Sequence, residues 1–262
     1  MSLENMEMKN VEPKWTVQDI PSQEGRLAVV TGATSGIGFH TVRELARKRA
    51  TMIMPARDMR RVKAAAERIE AEVPKARLYL ANLDLAEFAS VREFAQHLRQ
   101  RYGTGSLDLL VNNAGIMALP KRTVNSQGVE LQMATNYFGP FLLTALLFPL
   151  MKQEEGSRIV TVSSTVARSA RLEFDNLQSE RRYVSHGGAY TQSKLADLIF
   201  AFELHRRLSA ANSRIASIQG KSSSRLRACR HRGRNSWKTP VGRIRAGYRH
   251  AIRSFSAFHR HL

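Results

Sequence analysis

The sequence predicts an α/β fold: a doubly wound, mostly parallel sheet with helices on both faces, forming a single domain. Three observations lead there. Short β-rich runs alternate regularly with amphipathic helical stretches up to residue 218, which is the βαβ pattern. An apolar run, Leu27-Ala28-Val29-Val30, feeds directly into the turn Thr31-Gly32-Ala33-Thr34-Ser35-Gly36-Ile37-Gly38 and then into a helical stripe. With 262 residues the chain can bury a sizeable core, and one α/β domain of this length is commoner than two small ones.

The elements follow in order. After the first strand, Ile37, Val42, Leu45 and Ala46 recur at helical spacing and mark the first helix. Thr51 to Ala56 reads as the second strand, and a charged helix runs from about Asp58 to Glu72, capped by Asp58. Arg77 to Asp84 is the third strand. Ser90 is expected to cap the next helix, with Glu93 completing a capping box and Tyr102-Gly103 ending it. Leu107 to Val111 is the fourth strand, about Gly128 to Gln153 a long helical region, and Arg158 to Ser163 a further strand. An irregular segment reaches Gly188, a helix covers about Ala189 to Ala211, and Arg214 to Ile218 begins another strand.

Composition narrows the class. A single cysteine, Cys229, excludes an intrachain disulfide and a cysteine-based zinc site, and suits a reducing compartment. His231, His250, His259 and His261 lack regular ligand spacing, so no metal is expected. The first 25 residues carry Glu4, Glu7, Glu12, Asp19 and Glu24 among few apolar residues, which reads as neither a signal peptide nor an anchor. The longest apolar stretch, Phe138 to Met151, is interrupted by Gly139, Pro140 and Pro149 and is judged too short to span a bilayer. A cytoplasmic location is expected.

The net charge of +19 is unevenly placed. Residues 1–218 hold 29 Lys and Arg against 22 Asp and Glu, whereas residues 219–262 hold 12 Lys and Arg and no acid. Two kinds of sequence therefore meet near residue 219. The expected organisation is an extension over 1–24, a dinucleotide-binding and catalytic domain over 25–218, and a basic Arg/Ser-rich tail over 219–262.

Several residues suit chemistry. Glycines 32, 36 and 38 let the backbone turn sharply and approach a ligand, and the N–H groups opening a helix attract an anion, here a dinucleotide pyrophosphate. Tyr190 and Lys194 lie four apart on a predicted helix, so phenol and ammonium share a face, although the same spacing also suits an ordinary surface pair. A nearby cation favours phenolate, which would let Tyr190 exchange a proton with a carbonyl or alcohol oxygen. Ser163 and Ser164 end an apolar strand at the carboxyl edge where open α/β sheets bind ligands, and Asn112-Asn113-Ala114-Gly115 occupies the same edge of the preceding strand. Both segments also read as plain turns.

Together these segments resemble the short-chain dehydrogenase/reductase family. The matches are Thr31 to Gly38, Leu83-Asp84-Leu85, Asn112 to Gly115, the Asn136 region, Val162-Ser163-Ser164 and Tyr190-Thr191-Gln192-Ser193-Lys194. Order and spacing fit over about residues 25–218. Trp15, Asp19-Ile20-Pro21, Glu203-Leu204-His205-Arg206-Arg207 and the long Ser-to-Tyr interval look most like the retinol-dehydrogenase-like group and its bacterial relatives.

The resemblance implies a Rossmann-like fold and an oxidoreductase that moves a hydride between a nicotinamide cofactor and a small alcohol or carbonyl substrate. Tyr190 would be the general acid/base, Lys194 would lower its pKa and hold the nicotinamide ribose, Ser164 would orient the reacting oxygen, and Asn136 would hold a relay water. Gly32, Ser35, Gly36, Ile37 and Gly38 would cradle the cofactor, with Asp84 and Leu85 along the adenine, Asn112 beside its ribose, and Ala114 and Gly115 following. Arg57, in Pro55-Ala56-Arg57-Asp58 at the end of the second strand, could grip a 2′-phosphate as a planar fork, which favours NADP(H) over NAD(H). A shift of one residue would instead place the acid Asp58 there. Residues 168–188 would border the substrate, with Met117, Phe138, Leu172 and Phe174 available for an apolar wall or for core packing. Homo-oligomers are common in the family, but this sequence fixes no oligomeric state.

The resemblance is lost after Ile218, where a Pro-Gly turn, a substrate-covering segment and a last strand would follow; the sheet is therefore expected to miss that strand. Gln219 to Leu262 is instead Arg- and Ser-rich, a composition that argues for disorder. Three readings stay open: a reading-frame change near codon 219, a basic arm for nucleic acid or anionic membrane, or an unusual folded ending. The first implies an impaired or inactive nucleotide-binding relative.

Overall fold

All four residues of β1, Leu27–Val30, are buried, as expected of a strand covered on both faces. Its side chains alternate between two cores. Leu27 and Val29 pack with Phe94, Leu98, Leu143 and Leu147, whereas Ala28 and Val30 pack with Phe39, Val42, Val62 and Ile69. The two-residue pleat period thus builds one apolar layer on each side of the sheet. The computed structural model describes residues 15–185 and 187–221.

β1 lies inside a six-stranded sheet with β2 (Thr51–Ala56), β3 (Arg77–Asn82), β4 (Leu109–Asn112), β5 (Arg158–Ser163) and β6 (Ala216–Lys221), in the order β3-β2-β1-β4-β5-β6. Every neighbouring pair is parallel. α1 (Gly36–Arg47) and α2 (Met59–Glu72) supply the layer on one face. The other face is covered by α3 (Phe88–Tyr102), by the path of α4 (Leu131–Met133), a π-helical turn (Ala134–Phe138) and α5 (Gly139–Leu147), and by α6 (Gly188–Ala210). Strand order reverses between β1 and β4, so the loops leaving these two strands diverge over a crevice where open sheets bind ligands.

β2 and β5 match the sequence expectation residue for residue. Asp58 caps α2 as expected, its Oδ1 accepting from the N–H groups of Arg60 and Arg61 at 2.9 and 3.3 Å. The cap expected at Ser90 is corrected. α3 begins at Phe88, Glu87 holds the cap position, and Ser90 Oγ accepts from the Asp84 N–H at 3.0 Å, because the chain leaving β3 folds back over the first turn of α3. The long helical region begins at Leu131 rather than near Gly128, since the Glu130 carboxylate caps it by accepting from the Met133 N–H at 2.8 Å.

The length argument against a membrane span is also corrected. Leu131–Leu150 forms a helical run of 20 residues, long and apolar enough by composition to cross a bilayer. It is mostly buried, with Met133, Leu143 and Leu147 at 0% exposure, which is how a core helix of a folded domain passes the same test.

β6 continues through Gln219, Gly220 and Lys221, which pair with Thr161, Val162 and Ser163. The sheet therefore takes up three residues that composition assigns to the basic tail. Among the described residues β6 forms one edge of the sheet and β3 the other. Residues 1–14 of the expected extension, and 222–262 of the expected tail with Cys229 and its four histidines, lie outside them.

Candidate functional site

The turn leaving β1 is locked onto the end of β4. Thr31 Oγ1 accepts from the N–H groups of Asn113 and Ala114, each at 3.0 Å, and donates to the Val111 carbonyl at 3.3 Å. Asn113 Nδ2 donates to the carbonyls of Thr31 and Gly32 at 2.9 and 3.3 Å. This packing leaves no room at Gly38, where a Cβ would lie 2.4 Å from the Gly32 carbonyl oxygen and 2.5 Å from Asn113 Nδ2. Gly36 differs: its φ is +56° and nothing lies within 4 Å of a Cβ built there. Ser35 occupies the cap of α1 without a side-chain cap bond, so the first N–H groups of the helix face outward beside that open space.

A second group of residues gathers at the carboxyl ends of β4 and β5. Asn136, buried in the π-helical turn, accepts from the Ile116 N–H at 2.8 Å and donates to the Ile116 carbonyl and to Ser193 Oγ, both at 2.9 Å. Ser193 Oγ donates in turn to the Tyr190 carbonyl at 2.8 Å. Lys194 Nζ donates to the Val162 carbonyl at 3.0 Å and to Asp197 Oδ2 at 2.8 Å. A Cβ built on Gly115 would sit 3.3 Å from Asn136 Oδ1 and 3.5 Å from Lys194 Nζ, so both groups border one point beyond β4.

Tyr190 is half-buried in the first turn of α6, on the face of Lys194. The two serines ending β5 divide their work. Ser163 is buried and donates to the Lys194 carbonyl at 2.6 Å, fixing α6 to the sheet, whereas Ser164 is half-buried and makes no side-chain cap bond to the 3₁₀ turn Thr165–Arg168 that it opens.

Burial dominates the electrostatics. Asp197 is 2% exposed, and burial pushes its carboxyl up to about 7 although the Lys194 ammonium pulls the other way. Burial likewise pushes the Tyr137 phenol well above the usual range, with the Asp197 charge adding to the effect.

The residues from Arg26 to Lys221 match the family model described as short chain dehydrogenase. This chain belongs to that family. The chain is 38% identical to retinol dehydrogenase 13 of Homo sapiens over 194 residues, covering 74% of this chain and 58% of that one. It thus spans under two thirds of that relative's length. Among solved structures, an uncharacterised protein from Mycobacterium paratuberculosis is 40% identical with a TM-score of 0.70, over 81% of this chain and 74% of that one. The Pseudomonas aeruginosa RhlG/NADP active-site complex is 26% identical with a TM-score of 0.60, over 76% and 73% of the two chains.

Several expected site residues of this chain sit differently from the sequence expectation. Asn112 is buried and donates to Thr144 Oγ1 at 2.9 Å, so its side chain faces α5 instead of the open edge. Leu85 turns into the core beside Leu83, leaving Asp84, half-buried, at the surface of that loop. Arg57 is well exposed, with Nη1 3.8 Å from Asp84 Oδ2, a position that leaves the fork available at the end of β2. Phe138 is core, and Leu172 packs on the same cluster, whereas Met117 is 62% exposed. A cavity of about 240 Å³ at the start of α6, lined by Arg171, Glu173, Arg182 and Gln192 among others, is polar and includes none of the expected catalytic residues. Sequence reasoning named Thr31, Asn113 and Ser193 only within motifs and gave them no role, because their bonds reach segments distant in sequence, and it missed Asp197 altogether.

Proposed function

We propose that this chain binds NADP(H) in the crevice between β1 and β4 and interconverts an alcohol and a carbonyl, with Tyr190 as general acid/base. The single observation that carries this reading is the convergence of Asn136 and Lys194 on Gly115, on the α6 face that also bears Tyr190. The residues present fit such a cofactor. Gly36 offers open space at a helix start with uncapped N–H groups, which suits a pyrophosphate, and Arg57 offers a planar donor fork where a 2′-phosphate would lie. When bound, the nicotinamide supplies or takes the hydride.

The chain's own residues handle the proton and the geometry. In carbonyl reduction Tyr190 donates its phenolic proton to the substrate oxygen, and in alcohol oxidation its phenolate takes that proton back. The Lys194 ammonium shares the helix face of Tyr190, and with two N–H groups given to Val162 and Asp197 its third remains for a ribose hydroxyl. Ser164 supplies a hydroxyl to orient the reacting oxygen from the β5 side. Asn136 holds Ile116 and Ser193 in place, which fixes the distance between the β4 edge and the first turn of α6. The name of the human relative and the exposed apolar side chain of Met117, next to the Ile116 that Asn136 holds, support an apolar alcohol or aldehyde as substrate.

The test is NADPH-dependent reduction of apolar aldehydes by the purified chain and by Tyr190→Phe. Turnover is expected to fall by about 10²–10⁴-fold in the variant while NADPH affinity stays within about threefold. A variant that keeps its turnover overturns the role of Tyr190. NADPH binding without turnover in the native chain makes it a nucleotide-binding relative instead.

A further inference from the structure

The proposed chemistry uses Lys194 but leaves its buried partner without a task. Asp197 follows Lys194 by three residues on α6, with side-chain exposures of 6% for the lysine and 3% for the aspartate. A pair at this spacing in solvent contributes little, but two charges withdrawn from water are each strongly disfavoured alone, so the contact fixes the place of both side chains. The contact holds Lys194 at a junction of three elements: α6 itself, the Val162 carbonyl on β5, and Gly115 beyond β4.

The ionisable groups facing Asp197 among the described residues are Lys194 on its own helix and Tyr137 from the π-helical turn. Burial keeps the Tyr137 phenol neutral, so Lys194 is the charged group in this set.

We propose that Asp197 is a positioning residue whose carboxylate seats the Lys194 ammonium at the Val162 carbonyl and offsets part of the positive charge that Lys194 presents to Tyr190. The inference rests on reading Tyr190 and Lys194 as the proton-transfer pair. Its consequence is directional. A half-compensated ammonium favours a neighbouring phenolate less than a lone one does, so loss of the carboxylate strengthens the pull of the ammonium. Because burial pushes Asp197 up to about 7, the compensation grows as pH rises through neutrality and is complete where phenols ionise.

The test follows tyrosinate absorbance during alkaline titration of the cofactor-free full chain, its Asp197→Asn and Asp197→Glu variants, and the Tyr190→Phe counterpart of each as baseline. In Asp197→Asn the Tyr190 midpoint is expected to move down by about one pH unit, and Asp197→Glu is expected to restore it. An unmoved midpoint in a folded Asp197→Asn overturns the proposal. If that variant does not fold, carbon NMR of aspartate-labelled native protein and Lys194→Met decides. One carboxyl titration should move to higher pH on loss of the ammonium, and no movement overturns the proposal. A shifted phenol midpoint in a chain that reduces no substrate refutes the oxidoreductase reading and leaves this inference standing.

Discussion

The Asn113 carboxamide donates to the Thr31 carbonyl across 2.9 Å, joining residues 82 positions apart and tying the edge of β4 to the glycine turn after β1. A second bond from the same nitrogen reaches the Gly32 carbonyl at 3.3 Å. Asn113→Ala removes both donors and leaves two carbonyls of a tight turn short of partners, so a stability loss of about 2 kcal/mol is expected by urea unfolding. A loss within measurement error would mean that water replaces the amide and that the turn does not depend on it.

Gly36 and Gly38 make a matched pair of tests. A Cβ at residue 38 meets a backbone carbonyl at 2.4 Å, which cannot swing aside, so Gly38→Ala is expected to lower the thermal midpoint strongly and to abolish NADPH binding with it. A Cβ at residue 36 meets nothing, and only the positive φ is strained, at a cost of about 1–2 kcal/mol. Gly36→Ala should therefore stay folded while its NADPH affinity drops by more than that strain accounts for. Equal affinity in Gly36→Ala and the native chain would show that no ligand approaches this Cα.

Arg57 bears on cofactor choice. A guanidinium bonded to a phosphate contributes about 1.5–3 kcal/mol, so Arg57→Ala should weaken NADPH binding by about 10–100-fold and leave NADH binding unchanged. Fluorescence titration with both cofactors separates the outcomes. Parallel losses for the two would place Arg57 away from the ribose and return the discrimination to Asp84 or Asp58.

What was legible in the sequence follows from how local each signal is. β5 came through residue for residue because Ile159, Val160 and Val162 form a short apolar run whose length is itself the strand. The cap of α2 was equally local, since Asp58 bonds N–H groups two and three residues on. Ser90 misled because its hydroxyl serves a loop residue outside the helix, a choice decided by how the chain returns from β3. Asp197 was invisible as a site residue for the same reason. Three residues after a lysine on a helix, it looks like half of a solvent pair, and only the packing of β5 and the π-helical turn over α6 buries it.

Glu203 gives a pH signature in the acid range. Hydrogen bonding to Arg206, supported by Arg207, holds its carboxyl down at about 2 against burial, with contacts of 2.7 and 2.8 Å. A depressed folded value means stability that is present above the unfolded glutamate value of about 4 and is lost as pH falls toward about 2. Glu203→Gln should therefore cost about 0.5–1 kcal/mol at neutral pH, as helix ion pairs of this exposure do, and the gap from the native chain should close on acidification. A gap independent of pH would assign the loss to packing.

Asp197 carries the opposite sign. Its folded value of about 7 lies above the unfolded aspartate value of about 4, so between these limits the folded chain holds a proton that the unfolded chain has released. Stability from this group is complete below about pH 4 and declines as pH rises toward about 7, where the carboxylate must exist buried beside Lys194. Asp197→Asn has no proton to lose and should flatten that decline, which chemical unfolding at a series of pH values would read as a native curve falling relative to the variant between pH 4 and 7. Parallel curves across that window would mean that the Lys194 ammonium stabilises the anion fully, and would shift the weight of the pair from burial to charge.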